Sequence, residues 1–239
     1  MNTEPRTPIT FDGANSAKRS AYLLSISGPL EKVLLLGSAR FIQDGVAIHR
    51  TGDELRSLYF LKTGFAKRLL HREDGREQVL GFPLNGELLG LEAIGGEYHS
   101  STVQALGPCH VVEIPFRLME VLMAQDPDVA KTVYRLIAAA LREDYGWLAA
   151  LGLLNAEERV AAFLLNLSRR YAERGYSGTK FLLRMTRAEI GGFLGLSLET
   201  VSRILSQLQR DRVLSVDRRE IGILNMSALL AVGTNRPLH

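Results

Sequence analysis

The sequence has 239 residues, enough for one large domain or two modest ones. Apolar residues make up 46% and charged residues 23%, and no apolar run approaches the ~20 residues that span a bilayer, which excludes a membrane-spanning protein. The single cysteine, Cys109, excludes an intramolecular disulfide and an all-cysteine metal site within one chain. The polar N-terminus lacks a signal-peptide apolar core, so we expect a cytoplasmic protein.

The net charge of +3 is unevenly distributed along the chain. Residues Glu157 to Glu220 contain 12 Lys and Arg against 8 Asp and Glu, a net charge of +4, and the rest of the chain carries −1. This excess favours a polyanionic partner for the last third. A solvated basic surface without a partner is the alternative.

The first half of the chain predicts a β-rich domain. Residues 1–28 are polar and small, and we expect a flexible lead-in. Residues 29–127 contain short apolar runs separated by glycine, with a hairpin turn at Asp74-Gly75. This spacing predicts a β-barrel or a double-sheet jelly roll, as in a double-stranded β-helix.

A long helix is predicted over residues 128–154, which contain no proline. Stepping alternately by four and three residues gives a coiled-coil-like seam for a helix–helix dimer. Asp144 is the charged member, and in a parallel dimer it would face its twin and oppose association. The alternatives are a helix packed on its own domain and an Asp144 turned outward. The predicted dimer-interface residues are Val133, Ile137, Ala140, Asp144, Trp147, Leu151 and Leu154.

Residues 155–239 predict a DNA-binding domain. Asn155 is a candidate N-cap for a helix that ends near Gly175. Thr186 and Glu189 form a capping-box pattern, and Gly195 suits the sharp turn before a second helix capped by Ser197. The run "VLSVDRREIGIL" predicts two strands around a charged turn. Together these features predict a winged helix-turn-helix.

The second helix carries residues suited to reading bases. Glu199 and Arg203 are four apart and share a helix face, with Ser202 beside them. A glutamate accepts from cytosine and an arginine donates twice to guanine, so the two could read one G·C pair. The alternative is a surface ion pair between them. The predicted DNA-binding residues are Glu199, Ser202, Arg203, Ser197, Thr200 and Arg187.

The chain resembles the CRP/FNR family of bacterial transcription regulators, closest to the FNR branch. The phrases "TGDELRSLY", "VVEIPF", "NAEERVAAFLLNLSRR" and "GLSLETVSRIL" carry the resemblance, which covers most of the chain from Gly45 to Leu224. It implies an α+β fold with a cyclic-nucleotide-binding-like β-roll, a long dimerisation helix and a C-terminal winged helix. The Glu199, Ser202 and Arg203 pattern implies a homodimer on TTGAT-N4-ATCAA inverted repeats. An RNA polymerase partner is also implied.

Two ways in which members of this family sense signals need residues that this sequence lacks. The resemblance implies a four-cysteine [4Fe–4S] cluster in oxygen sensors, and Cys109 alone cannot hold one. His99 and Ser100 stand where cAMP-binding relatives carry an Arg-Ser pair, so we expect neither a cluster nor cAMP. Haem with nitric oxide, a small effector in the roll, control by abundance and Cys109 redox chemistry stay open as signals. Five histidines leave haem possible: His49, His71, His99, His110 and His239.

We find no catalytic constellation and no metal-ligand spacing in the sequence, so no metal site or enzyme activity is predicted. The predicted function is a homodimeric, sequence-specific DNA-binding regulator. One alternative is a sensor whose winged helix serves protein contacts. Another is a cupin-like enzyme, which the scattered histidines disfavour. Whether binding activates or represses is not decided by the sequence.

Overall fold

The computed structural model describes residues 28–72 and 74–234. The chain divides into two compact units, and the division falls between Leu141 and Arg142. The predicted lead-in, residues 1–28, lies outside the described residues except for Gly28, where helix α1 (28–34) begins. Within the described part of the chain, no helix combines the length and the apolar character that a bilayer crossing needs.

The described part of the N-terminal unit contains eight strands in two four-stranded antiparallel sheets, the double-sheet roll that the glycine-separated runs predicted. One sheet has the order β1-β8-β3-β6 and the other β2-β7-β4-β5. The strands are β1 Ser38–Ile42, β2 Ala47–His49, β3 Ser57–Thr63, β4 Ala66–His71, β5 Glu77–Gly81, β6 Glu87–Leu89, β7 Thr102–Ala105 and β8 Cys109–Pro115.

Apolar residues from both sheets meet in a core between them. Ile42, Leu61 and Val111 come from the first sheet, and Ile48 and Val103 come from the second. All five are at most 4% exposed. The apolar side chains that the strands of both sheets turn inward fill this core, and their burial stabilises strands this short. The predicted hairpin is confirmed, since β4 and β5 pair with His71 opposite Glu77.

Two helices follow the roll, α2 (Phe116–Gln125) and α3 (Pro127–Leu153). Pro127 suits the first position of a helix, where its missing N–H costs nothing. The predicted long helix over 128–154 is therefore confirmed to within one residue at each end. Val129 and Val133 of α3 are buried against Met119 of α2 and Ile114 of the roll.

The C-terminal unit contains helices and a small sheet. Helix α4 (Ala156–Glu173) begins at Asn155, whose side chain accepts hydrogen bonds from the backbone N–H groups of Glu157 and Glu158. Trp147 of α3 packs edge-on against Phe193, with ring centroids 4.7 Å apart. The remaining elements are β9 Lys180–Leu182, α5 Arg187–Leu194, α6 Leu198–Arg210, β10 Leu214–Asp217, β11 Glu220–Ile223 and α7 Met226–Thr234.

Candidate nucleic-acid interface

Helix α5 is fixed at both ends by its own sequence. The Thr186 hydroxyl accepts from the Glu189 backbone N–H at 3.2 Å, and the Glu189 carboxylate accepts from the Thr186 backbone N–H at 2.7 Å. The predicted capping box is therefore present. Gly195 ends the helix with φ of +65°, a left-handed conformation that favours glycine.

The turn between α5 and α6 allows no side chain at Gly191. A Cβ atom there would lie 2.5 Å from the carbonyl oxygen of Leu196. Glycine is thus needed at this position because the backbone of the turn approaches it closely. This contact fixes where α6 starts relative to α5.

Helix α6 buries one face and exposes the other. The Ser197 hydroxyl caps it by accepting from the Thr200 backbone N–H at 3.1 Å. Its inward face consists of four residues that are each at most 4% exposed, namely Val201, Ile204, Leu205 and Leu208. The residues between them point away from the core, so their side chains are displayed.

The predicted base-reading residues lie on that displayed face. Glu199 and Arg203 are exposed, and Ser202 is half-buried. The alternative of an ion pair between Glu199 and Arg203 is not seen among the described residues. The backbone N–H of Glu199 and the Ser197 hydroxyl lower the pKa of the Glu199 carboxyl, so it is anionic at neutral pH.

The other predicted DNA-binding residues lie nearby along the chain. Ser197 and Thr200 belong to the cap and first turn of α6, and their hydroxyl oxygens are 3.1 Å apart. Arg187 is the first residue of α5 and is half-buried. Ser197 and Thr200 therefore have a structural role in the cap beside the role we predicted for them.

The wing adds two cations that the predicted set omitted. Strands β10 and β11 pair antiparallel, with Asp217 opposite Glu220. Arg218 and Arg219 form the turn between them, and both are exposed. The Arg219 guanidinium donates to the Arg184 carbonyl at 3.2 Å. The charged turn in the sequence could have pointed to these two arginines as DNA-binding residues. Guanidinium groups at a wing tip suit phosphate contacts.

The residues of the predicted dimer seam on α3 differ in their exposure. Val133 and Trp147 are 2% and 7% exposed, because each packs in the core of its own unit. Ile137 packs against the same core as Val133. Of the others, Asp144 is exposed, and Ala140, Leu151 and Leu154 are half-buried. The predicted frame therefore follows, in part, the inward face of the helix.

Four of the five large exposed apolar residues of α3 follow a frame one residue later than the predicted seam, and Leu153 is the exception. Tyr134 is 63% exposed, Leu141 46%, Tyr145 64% and Leu148 70%. They fall at spacings of seven, four and three residues, which is the heptad pattern. The later frame contains no charged residue, whereas the predicted one contained Asp144. We call Tyr134, Leu141, Tyr145 and Leu148 the α3 stripe.

The roll brings together three residues that the sequence analysis treated as scattered. His49 ends β2, Glu92 lies on a single helical turn (Leu91–Ala93) and His99 precedes β7. Their nitrogen and oxygen ligand atoms all lie within 4.8 Å of one another. The sequence analysis predicted no metal site, and the structure brings these three candidate ligand residues together. We call these three residues the roll cluster.

Three of the four ring nitrogens of the roll cluster are buried without a hydrogen-bond partner among the described residues. Both ring nitrogens of His49 and the Nδ1 of His99 are buried and unpaired. The Ser101 backbone approaches His49 without reaching hydrogen-bond geometry. Each unpaired buried polar group costs about 1–3 kcal/mol, so this arrangement calls for an explanation.

Cys109 is a buried thiol within β8. Its Sγ donates to the Phe65 carbonyl at 3.1 Å, and burial raises the pKa of the thiol. A neutral, hydrogen-bonded thiol is a structural group rather than a reactive thiolate. It is the only cysteine in this sequence, so the residues present do not fit a four-thiolate iron–sulfur cluster.

Two family models match the chain. Residues 39–126 match the cyclic nucleotide-binding domain, and residues 158–232 match the Crp-like helix-turn-helix domain. The first range lies in the N-terminal unit and the second in the C-terminal unit.

Known proteins resemble the chain over most of its length. The fumarate and nitrate reduction regulatory protein of Salmonella typhimurium is 43% identical over 191 residues, which cover 80% of this chain and 76% of the relative. The protein of that name from Escherichia coli is 43% identical over 188 residues, 79% of this chain and 75% of the relative. The structure of FixK2 from Bradyrhizobium japonicum superposes with a TM-score of 0.76 at 30% identity, covering 82% of this chain and 96% of FixK2. The chain therefore belongs to the CRP/FNR family of DNA-binding transcription regulators.

Proposed function

We propose that this chain is a homodimeric regulator that binds TTGAT-N4-ATCAA-like inverted repeats and reads them with Glu199, Ser202 and Arg203. The observation that carries the proposal is the display of these side chains on the exposed face of α6. Caps and a left-handed glycine fix the start of that helix. The first turns of a recognition helix are the part that meets base edges in the major groove.

The chemistry of the displayed residues matches one G·C pair in each half-site. The anionic Glu199 accepts from the cytosine amino group, and the Arg203 guanidinium donates to guanine O6 and N7. Arg218 and Arg219 at the wing tip supply charge for the phosphate backbone, which fixes register without reading sequence. The base-reading residues should therefore determine sequence specificity, and the wing-tip arginines should determine the salt-dependent part of the affinity.

The test compares Arg203→Ala with Arg210→Ala on a TTGAT-N4-ATCAA duplex and a scrambled duplex at fixed salt. Arg210 is an exposed arginine at the other end of α6, so both variants remove one charge from one helix. Arg203→Ala should lower affinity for the specific duplex by about 5–150-fold per half-site and spare nonspecific binding. Arg210→Ala should keep discrimination. Unchanged discrimination in Arg203→Ala would refute the readout assignment.

The α3 stripe supports a second copy of this chain as partner. An inverted repeat needs two recognition helices related by a two-fold axis, and exposed apolar residues at heptad spacing suit a helix–helix contact. Leu148→Glu should shift the protein towards monomer in a sedimentation dilution series. Val121→Glu alters an exposed apolar residue of α2 and should leave the dimer intact. If the two variants showed the same monomer–dimer equilibrium, the dimer interface would not involve the α3 stripe.

The proposed regulator needs neither an iron–sulfur cluster nor cAMP. The single buried thiol of Cys109 supports the first point. The second is supported by His99, which is 2% exposed and stacks on His49 where the family resemblance places a phosphate-binding arginine. Aerobically purified protein should bind the specific duplex tightly without additions.

The alternative is a haem- or small-effector-dependent sensor of the same family, for example one responding to nitric oxide. It predicts weak or unselective binding by the untreated protein and recovery when haem or the effector is supplied. In either case a transcription regulator of this type has RNA polymerase as its expected partner. Co-sedimentation of polymerase with the protein–DNA complex tests that expectation.

A further inference from the structure

The roll cluster has the composition of a metal-binding site. His49 and His99 are each 2% exposed, and their rings stack with centroids 4.0 Å apart. Nδ1 of His99 lies 3.6 Å from Oε1 of Glu92, just beyond a hydrogen bond. The Glu92 side chain is 22% exposed and so lies at the rim of the pair.

The surrounding residues hold these ligands in place. The backbone N–H of His99 donates to the Asp53 carbonyl at 2.8 Å, which anchors its loop. Gly90, with φ of +85°, allows the close approach of His99, because a Cβ there would lie 2.7 Å from the ring. Ser101 donates to Glu92 Oε1 at 2.9 Å. Metal ligands commonly have such an outer layer of hydrogen bonds that orients them.

The protonation states suit metal binding. Burial, and then the nearby His99, lower the pKa of His49 to about 4, so its imidazole is neutral at pH 7 and offers a lone pair. Burial raises the pKa of Glu92, but His99 and the other partners of the carboxylate outweigh it and bring the pKa to about 2. The Glu92 carboxylate is therefore anionic at neutral pH.

We propose that His49, Glu92 and His99 form a binding site for a first-row divalent transition metal ion in the roll. Two histidines and one carboxylate are a ligand set that Zn²⁺ and non-haem Fe²⁺ use, with further positions left open. Ligand atoms about 2.0–2.2 Å from one ion lie at most ~4.4 Å apart. The widest separation, up to 4.8 Å, must therefore close slightly, and the rim carboxylate of Glu92 can supply the movement. A metal bond would also satisfy buried nitrogens that no described residue reaches.

The test uses the full chain, stripped with a chelator and titrated with Zn²⁺ against a chromophoric competitor. Wild-type protein should bind one Zn²⁺ per chain, and His49→Phe and Glu92→Gln should each weaken that site at least tenfold. The matched control is His71→Asn, because His71 and Glu77 form a surface His–carboxylate pair with nitrogen and oxygen 3.3 Å apart. This control should bind Zn²⁺ like wild type.

A second measurement separates metal binding from folding. Zn²⁺ should raise the thermal unfolding temperature of wild type and His71→Asn but not that of Glu92→Gln, whose rim position makes it the safer variant if His49→Phe fails to fold. The proposal is overturned if wild type binds no Zn²⁺, if Glu92→Gln retains the site, or if His71→Asn loses it equally. Binding to the specific duplex is measured separately, so the DNA-binding proposal stands or falls independently.

Discussion

In the C-terminal unit, which we call the winged-helix unit, polar side chains at helix ends are hydrogen-bonded to backbone groups. In the roll, by contrast, two histidines are buried with unpaired nitrogens. Asn155, Thr186 and Ser197 each accept from backbone N–H groups at the start of a helix. His49 and His99 are more deeply buried than any of these caps. The starts of these helices are thus fixed by local hydrogen bonds, whereas both ring nitrogens of His49 and the Nδ1 of His99 in the roll are buried without such bonds.

The difference follows from what each unit has to do. A recognition helix must have one orientation, so its ends are fixed by short-range hydrogen bonds and a glycine turn. The metal site proposed for the roll would use its buried nitrogens, which otherwise carry a cost in free energy. The predictions below remove specific contacts from the winged-helix unit. Trp147, the only tryptophan in the sequence, packs within that unit and reports its unfolding by fluorescence.

The largest effect is expected for Arg159→Met. The Arg159 guanidinium donates to the carbonyls of Leu151, Leu154 and Leu194, at 2.7, 2.9 and 3.1 Å. These carbonyls lie at the C-terminal ends of α3 and α5, where a cation offsets the helix dipole and satisfies carbonyls without intrahelical partners. Losing these charge-assisted bonds should lower the free energy of unfolding by about 3 kcal/mol. Denaturant titration followed by Trp147 fluorescence measures it.

The control for Arg159→Met is Arg218→Met, which removes one exposed guanidinium at the wing tip. The denaturant midpoint followed by Trp147 fluorescence should stay within experimental error of the wild-type value, because an exposed charge contributes little to stability. Similar losses in both variants would show that net charge, and not the three carbonyl contacts, sets the stability of the unit.

Gly191→Ala should come next, with a loss of about 2 kcal/mol in the free energy of unfolding. The added Cβ would meet the Leu196 carbonyl oxygen at 2.5 Å, and backbone cannot move aside as a flexible side chain can. The displaced turn should also weaken binding to the specific duplex. Gly81→Ala is the control in the roll, since nothing lies within 4 Å of its Cβ position. If Gly191→Ala left the free energy of unfolding unchanged, the close approach of the Leu196 carbonyl oxygen to this position would be contradicted.

The contrast between the winged-helix unit and the roll also explains which features could be predicted from the sequence. The caps at Asn155, Thr186 and Ser197 and the turn at Gly195 depend on residues within a few positions of one another, so the pattern alone predicts them. The roll cluster assembles His49, Glu92 and His99 from three segments that only the pairing of β2 with β7 and the fold of the loop bring together. Sequence spacing holds no signal for that kind of contact.

For α3, the helix was easier to predict from the sequence than the face that we propose for dimerisation. The helix and its length were predictable, but two frames one residue apart both contain apolar residues. Packing of Val133 and Trp147 into their own units decides which frame faces inward. Asp144 distinguishes the two frames, because it is a charged residue in the predicted frame and the later frame contains none.

A smaller, pH-dependent effect is expected from Tyr171. Burial raises the pKa of Tyr171 to about 12, and its hydroxyl donates to the Leu182 carbonyl at 3.1 Å. The unfolded chain loses this proton from about pH 10, whereas the folded chain keeps it, so stability is present below pH 10 and falls as pH rises towards 12. By pH 11 the loss should reach about 1–1.5 kcal/mol.

Tyr171→Phe cannot ionise, so its free energy of unfolding should fall less between pH 9 and pH 11 than that of wild type. The variant should be slightly less stable than wild type at neutral pH, because it lacks the hydrogen bond to Leu182. Parallel curves for the two proteins over this range would mean that Tyr171 titrates normally in the folded state.

The smallest effect is expected for Thr186→Ala, which deletes the hydroxyl half of the α5 capping box. The Glu189 N–H loses its acceptor, and the predicted cost is about 0.5–1 kcal/mol by Trp147 fluorescence. Thr186→Ser restores the acceptor and should recover most of the loss, since serine caps helices as well as threonine does. If Thr186→Ala also relaxes discrimination between the specific and scrambled duplexes, the cap helps orient the reading surface. A change in stability with discrimination intact would confine its role to holding α5.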